Sequence, residues 1–357
     1  MGHVDGKGVG VQRVVLNEDN GEMAIVSSPQ DVGVNPTYLC YDDDTLFVVN
    51  ETQNGTVKSF KVDHETGTLT QVSSLSSKGA DPCYCEVFDS PTLGCKLLLV
   101  PNYSSGSTIA FRVLEGGILD EFAFYQHTME TPGPNKSRQE APHAHMARAF
   151  GVEQNLRVAV PDLGLDKVLT FTLSQTSELN GNIEMNQSLA MKSGDGPRHI
   201  AFHPNKQYAY VVSELANTVT VVPVDHANSV FKDPGQIVST LPTNYNNENG
   251  GNTCAHIEIH PNAKYLYVSN RGGNLGKHHS IACLAINKNG DLLTLKNATY
   301  FEHGEEPRAF CISPSGKYLI VGWQNTDNLT SYEIQNSGEL VLKHVIECLT
   351  PVAFAWC

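Results

Sequence analysis

Short apolar runs, each closed by a polar residue and separated by Gly, Asn, Asp and Pro, fill the chain from end to end. Leu46 to Asn50, Leu97 to Asn102, Val158 to Asp162, Tyr208 to Ser213, Tyr265 to Asn270 and Tyr318 to Gln324 are rich in Val, Tyr and Leu. Runs of this length and composition, bounded by turn pairs such as Pro204-Asn205 and Ser315-Gly316, predict buried strands. Each is followed by a further strand, at Thr56 to Phe60, Ser107 to Phe111, Lys167 to Phe171, Thr218 to Val222, Ser280 to Leu284 and Leu329 to Ile334. A fourth strand follows a Gly turn, as at Gly67, Gly116-Gly117, Gly290 and Gly338. Each set is led by a Pro-headed apolar segment: Asn35 to Leu39, Asp81 to Tyr84, Ala141 to His145, Gly196 to Ile200, Glu306 to Phe310 and Thr350 to Phe354. Thr253 to Ile257 is the same segment without its proline.

Four strands per repeat with almost no helical periodicity predict an all-β protein, a β-propeller with one four-stranded antiparallel blade per repeat. A ring leaves no free edge when both termini complete one blade. Pro351 to Cys357 reads as an innermost strand with nothing after it, and Val11 to Leu16 and Ala24 to Ser27 read as third and fourth strands. The expectation is therefore seven blades in one domain spanning 1–357, the last blade shared by the N- and C-termini. Its second strand is not evident, because Met1 to Gly10 is short and Gly-rich.

The 357 residues are 40% hydrophobic, enough for a large core, and 24 Lys+Arg against 38 Asp+Glu give a net charge of −14. That balance argues against nucleic acid, whose phosphates call for a basic surface. No run approaches the length of a membrane helix, and the residues after Met1 lack the apolar core of a signal peptide. Nine Cys without a paired framework suit a reducing compartment, so a cytoplasmic protein is expected. Cys83 and Cys85 fall on one strand face and read as buried thiols. No His/Asp/Glu cluster repeats with ligand spacing, so neither a metal nor another cofactor is expected, and monomer is the default for a ring that closes on itself.

Several runs carry a resemblance. Gly196 to Pro204, Tyr210 to Val219, Tyr267 to Asn274, Pro101 to Ser107 and Asp162 to Val168 resemble, in order and at blade spacing, the seven-bladed lactonase family. That family groups bacterial-type 6-phosphogluconolactonases with 3-carboxy-cis,cis-muconate lactonising enzymes. The resemblance implies a site built from His145, Arg198, Glu214 and Arg271, with His143 as the alternative to His145. It implies His145 as general base, Glu214 as its orienter or a second acid/base group, and the two Arg as anion clamp and oxyanion stabiliser. Opening a lactone needs a base beside the attacking water and donors for the oxyanion, roles that His and Arg suit. His199, His256, Glu258 and Arg308 are further substrate-binding candidates, and the partner implied is a small anionic lactone or carboxylate.

Each candidate has a plainer reading as a polar lining of a water-filled channel. His199, His203 and His260, the last two in His-Pro turns, are expected at the solvent surface, and His278-His279 at a loop tip. The connections 131–140 and 242–252 read as surface loops, with a lid as the alternative. Two features depart from the family pattern: His256-Ile257-Glu258 exchanges the usual acid and His, and Ser213 replaces an Asn. The function expected is hydrolysis of 6-phosphoglucono-1,5-lactone, the alternatives being a carboxymuconate cyclase and a non-catalytic binding platform.

Overall fold

The computed structural model describes residues 7–8, 10–177, 180–242, 245, 251–272 and 279–357. Its regular structure is almost all strand; the helical segments Glu115–Gly117 and Glu153–Asn155 are single 3-10 turns. By internal contacts the chain separates into two compact units: 1–31 with 201–221 and 235–356, and 32–200 with 222–234 and Cys357.

The 32–200 unit holds three antiparallel four-stranded sheets, each paired in chain order. The first joins Pro36–Asp42, Thr45–Asn50, Thr56–Val62 and Leu69–Ser76. The second joins Glu86–Ser90, Cys95–Asn102, Ser107–Val113 and Leu119–Gln126. The third joins Arg148–Phe150, Arg157–Asp162, Lys167–Gln175 and Gly181–Ala190. The second strands are apolar without alternation because both faces are covered. Leu97 and Leu99 pack with Val158, Val160 and Phe171, while Leu98 and Val100 pack with Phe47, Val49 and Val57. Successive side chains point to opposite faces, so one strand joins two cores.

The same logic builds the other unit, where Leu266 and Val268 join Tyr210 and Val212 while Tyr267 joins Phe310 and Leu319. Its full sheets are Thr253–Ile259, Tyr265–Arg271, Ser280–Ile286 and Leu293–Tyr300, and Pro307–Ile312, Tyr318–Trp323, Asn328–Ile334 and Leu340–Glu347. A further sheet orders Pro197–Phe202, Tyr208–Ser213 and Thr218–Asp225, and its last strand takes two partners, Val230–Phe231 and Ile237–Ser239. Pro234, which has no N–H to give a ladder, falls in the break between them.

Five of the six Pro-headed segments share a backbone signature. Asn35, Asp81, Gly196, Glu306 and Thr350, each the residue before the proline, all have positive φ between 47° and 62°. Just after it the ladder slips, between Pro36 and Tyr38, Cys254 and Ile257, and Pro307 and Ala309. In two repeats the segment leaves the ladder except for single bridges, Pro82 to Asn102 and Ala144 to Asp162. Bulges of this kind turn side chains out of the sheet's alternation, and they fall where the site residues were expected.

The shared terminal blade differs from expectation. Val14–Leu16 and Met23–Ile25 form a two-stranded hairpin, and Val11 bridges Gln30, but 351–357 joins no ladder. Thr350 keeps the positive φ of the repeat, and most of the stretch 1–10, where the second strand was expected, lies outside the described residues. The hairpin instead packs Met23 against Ile320 and Leu329, and Met23 N donates to His344 Nδ1 at 2.9 Å.

Three histidines also differ. His199 is buried, at 2% exposure, and so are the turn histidines His203 and His260, at 7% and 8%. The Nδ1 atoms of these two accept from Asn205 N and Asn262 N, and His260 Nε2 donates to Gly316 O at 2.7 Å. They cap their own turns, which a solvent-facing side chain would not do.

Candidate active site

In the 32–200 unit the structure brings His143, His145, Arg198 and His199 together, all buried. Arg198 Nη1 donates to His199 Nε2 at 3.0 Å, so this nitrogen carries a lone pair and the ring is not an imidazolium. The His199 ring stands edge-on to His145 at 5.2 Å and to Tyr84 at 5.7 Å. His145 is held from its own backbone, its N donating to Pro161 O at 3.1 Å, and Cys83 Sγ lies 3.7 Å from its Nδ1. Tyr103 completes the wall, edge-on to His145 at 5.4 Å and stacked on His143 at 4.5 Å.

His143 faces acceptors on both sides. Nδ1 lies 3.0 Å from Tyr103 O and Nε2 lies 3.1 Å from a Glu140 carboxylate oxygen. The segment bearing it is pinned by Asp162, whose Oδ1 accepts from His143 N at 2.8 Å and Leu165 N at 3.0 Å. Asp162 Oδ2 takes His127 Nδ1 at 2.8 Å, and His127 Nε2 meets the Thr108 hydroxyl at 3.0 Å. This Thr-His-Asp chain has the residue types of a nucleophilic triad, but the His127 and Asp162 side chains are fully buried, so it serves to position the segment 143–145.

Beyond Tyr84 the polar chain continues. The Tyr84 hydroxyl donates to Glu86 Oε2 at 3.3 Å, Tyr84 packs on Tyr38 at 4.4 Å, and Arg148 Nε lies 3.8 Å from Glu86. Burial pushes the Glu86 carboxyl up from its ordinary value, against the opposing pull of Arg148 and the Tyr84 hydrogen bond. Burial likewise holds the Tyr84 phenol well above its usual range.

The other unit carries Glu214, Arg271, His256, Glu258 and Arg308, and brings Glu214 to Arg271 and His256 to Glu258. Glu214 opens the turn after Tyr208–Ser213, and its carboxylate pairs with Arg271 Nη2 at 3.2 Å. The same nitrogen donates to Cys254 O at 3.1 Å, while Arg271 Nε, also buried, makes no hydrogen bond among the described residues. Next to Arg271, Gly272 N donates to His279 Nδ1 at 3.0 Å, as does Glu306 N. His279 is thus a bracket between two backbone segments rather than a loop tip, because its ring is drawn in by two donors; His278 lies outside the described residues. His256 and Glu258 share a strand, their nearest charged atoms 3.9 Å apart, and Glu258 Oε2 accepts Ile312 N at 3.2 Å from the strand that carries the half-buried Arg308. His256 packs edge-on to Phe310 at 4.9 Å. Ser213, in place of the family's Asn, is buried and its hydroxyl makes no hydrogen bond within the protein.

Sequence reasoning passed over Tyr84, Tyr103, His127 and Arg138. Tyr103 stood within a motif already singled out, and Cys83 and Tyr84 within a Pro-headed segment; their places in the repeat were the available signal. His127 had none, since its partner Asp162 is distant in sequence. Among the described residues no three His, Cys, Asp or Glu side chains gather as a metal-ligand set.

Comparison with known proteins sets this geometry in a family. Residues 1–356 match the family described as lactonase, 7-bladed beta-propeller. The chain is 32% identical over 314 residues to the 6-phosphogluconolactonase of Bacillus subtilis, covering 86% of this chain and 83% of that one. It is 30% identical over 335 residues to the 6-phosphogluconolactonase of Formosa agariphila, covering 91% and 88%. The crystal structure of a proposed 6-phosphogluconolactonase from Bacteroides fragilis superposes with a TM-score of 0.83 at 27% identity, over 98% of this chain and 94% of that one. The four-stranded sheets are therefore propeller blades, and the chain belongs to the lactonase family of seven-bladed β-propellers.

Proposed function

We propose that the protein is a 6-phosphogluconolactonase, a hydrolase that opens 6-phosphoglucono-1,5-lactone to 6-phosphogluconate in the oxidative pentose phosphate pathway. The observation that carries this reading is the match to 6-phosphogluconolactonases along almost the whole chain, 32% identical over 314 residues in the Bacillus subtilis case. The geometry supports it with a buried imidazole, His145, beside a guanidinium, Arg198, whose direction is set by His199. In this reading His145 takes a proton from the attacking water as the new C–O bond forms at the lactone carbonyl. Arg198 stabilises the oxyanion, and His145 returns the proton to the ring oxygen as the ester C–O bond breaks. Arg271, fixed by Glu214 and Cys254 O with its Nε left as a donor, is assigned as a second anion-binding group. We assign the protein to the cytoplasm and treat it as a monomer; among the described residues no helix is long and apolar enough to cross a membrane.

The test is hydrolysis of freshly generated 6-phosphogluconolactone against the spontaneous rate. His145→Ala is expected to lower kcat/KM by roughly 100-fold or more, and Arg198→Ala by about 100-fold. No wild-type rate above the spontaneous one would overturn the reading, and 3-carboxymuconate would then be the substrate to assay.

A further inference from the structure

Lactone opening by His145 and Arg198 leaves the connection 131–140 without a part. It is not slack. Gln139 is fully buried, its Nε2 donating to Leu163 O at 3.0 Å and its Oε1 accepting from Asn135 N at 3.2 Å. Gly133 N closes the loop onto Gln139 O at 2.9 Å. The neighbouring side chains are thereby presented on a fixed turn, and they meet at Tyr103. Arg138 Nη2 donates to the Tyr103 hydroxyl at 3.2 Å. His143 stacks on the same ring and gives its Nδ1–H to the Tyr103 carbonyl.

We propose that Arg138 and His143 form the seat for the phosphate of the substrate, and that Glu140 is the internal anion that occupies His143 when no substrate is bound. The proposal rests on the lactonase reading and extends it to the group that distinguishes a phosphorylated sugar lactone from a plain one. His143, with a carbonyl oxygen 3.0 Å from Nδ1 and a carboxylate oxygen 3.1 Å from Nε2, already holds an anion. That carboxylate belongs to a side chain 54% exposed, at the end of an ordered turn, so it swings into water at little cost. A phosphate monoester brings about two negative charges and three acceptor oxygens, enough to bridge His143 and the Arg138 guanidinium where one carboxylate meets only His143. Tyr103 supplies the rigidity, and its other edge faces His145, so the seat adjoins the proposed base.

The experiment compares two substrates, 6-phosphogluconolactone and unphosphorylated glucono-1,5-lactone, through the ratio of their kcat/KM values. Arg138→Met is expected to lower that ratio by about 10-fold or more, since it removes a charge-assisted contact made only to phosphate. Glu140→Gln is expected to raise it a few-fold by weakening the internal competitor. A loop that merely supports the fold would slow both substrates alike, so an unchanged ratio in both variants overturns the proposal. If the wild type hydrolyses neither lactone, the lactonase reading fails and the seat is tested alone by titrating inorganic phosphate. Affinity lost by about 10-fold in Arg138→Met upholds it, and equal or undetectable binding in both proteins overturns it.

Discussion

Arg198 and His199 are adjacent in sequence, and their roles are not independent. The guanidinium donates to a nitrogen that accepts only while the imidazole is neutral. Three other groups border His199: His145, Tyr84 and, behind Tyr84, Glu86. The bond makes His199 a positioning residue for Arg198, so His199→Leu is expected to lower kcat/KM by roughly 10-fold. His199→Gln, which offers an acceptor oxygen, should recover much of that loss. Equal defects in the two variants, measured with matched melting temperatures, would show that the ring is needed for packing alone. The residue type at 199 was legible as a candidate; its function as an acceptor was not, because an H-bond partner is set by rotamer and not by order along the chain. His203 and His260 make the same point in reverse, since a His-Pro turn looks exposed until a neighbouring turn buries it.

At the scale of the element, the site depends on segments that leave their ladders. Ala144 holds a single bridge to Asp162 between two stretches without pairing, and His143 and His145 flank it. The turn facing this segment has no room to spare. A Cβ on Gly164 would lie 1.8 Å from Ala141 O, a backbone atom that cannot rotate away. Gly164→Ala is therefore expected to cost about 1–3 kcal/mol of stability and to shift 141–145 enough to reduce activity more than the stability loss explains. Thermal denaturation read beside kcat/KM checks both parts. The strands themselves were written plainly in the chain, because each Val- and Leu-rich run is buried on two faces and bounded by turn residues. The bulges were not, since a slip of register becomes visible only when the partner strand is in place.

For the molecule as a whole, the N-terminal hairpin is tied to strands about three hundred residues further along, Ser331 Oγ donating to Gly21 O and Lys317 Nζ to Glu18 O. Met23 is its apolar anchor, 4% exposed against Ile320 and Leu329. Met23→Ala is expected to cost about 2–3 kcal/mol, with denaturant midpoint as the measure, and a neutral result would show that the hairpin is dispensable for the last blade. The repeat is written in the chain alone: strand composition, turn residues and the Pro-headed segments are local properties, and local propensity acts without knowledge of the partner. So is the family, through motifs whose order survives along the chain. Packing alone fixed the pairing of the two N-terminal strands with each other, the burial of the turn histidines, and the contacts that join Tyr103 to Arg138, His143 and His145. Those contacts bring together residues from separate repeats, and no short-range pattern encodes a distance between side chains that meet only when the sheets pack.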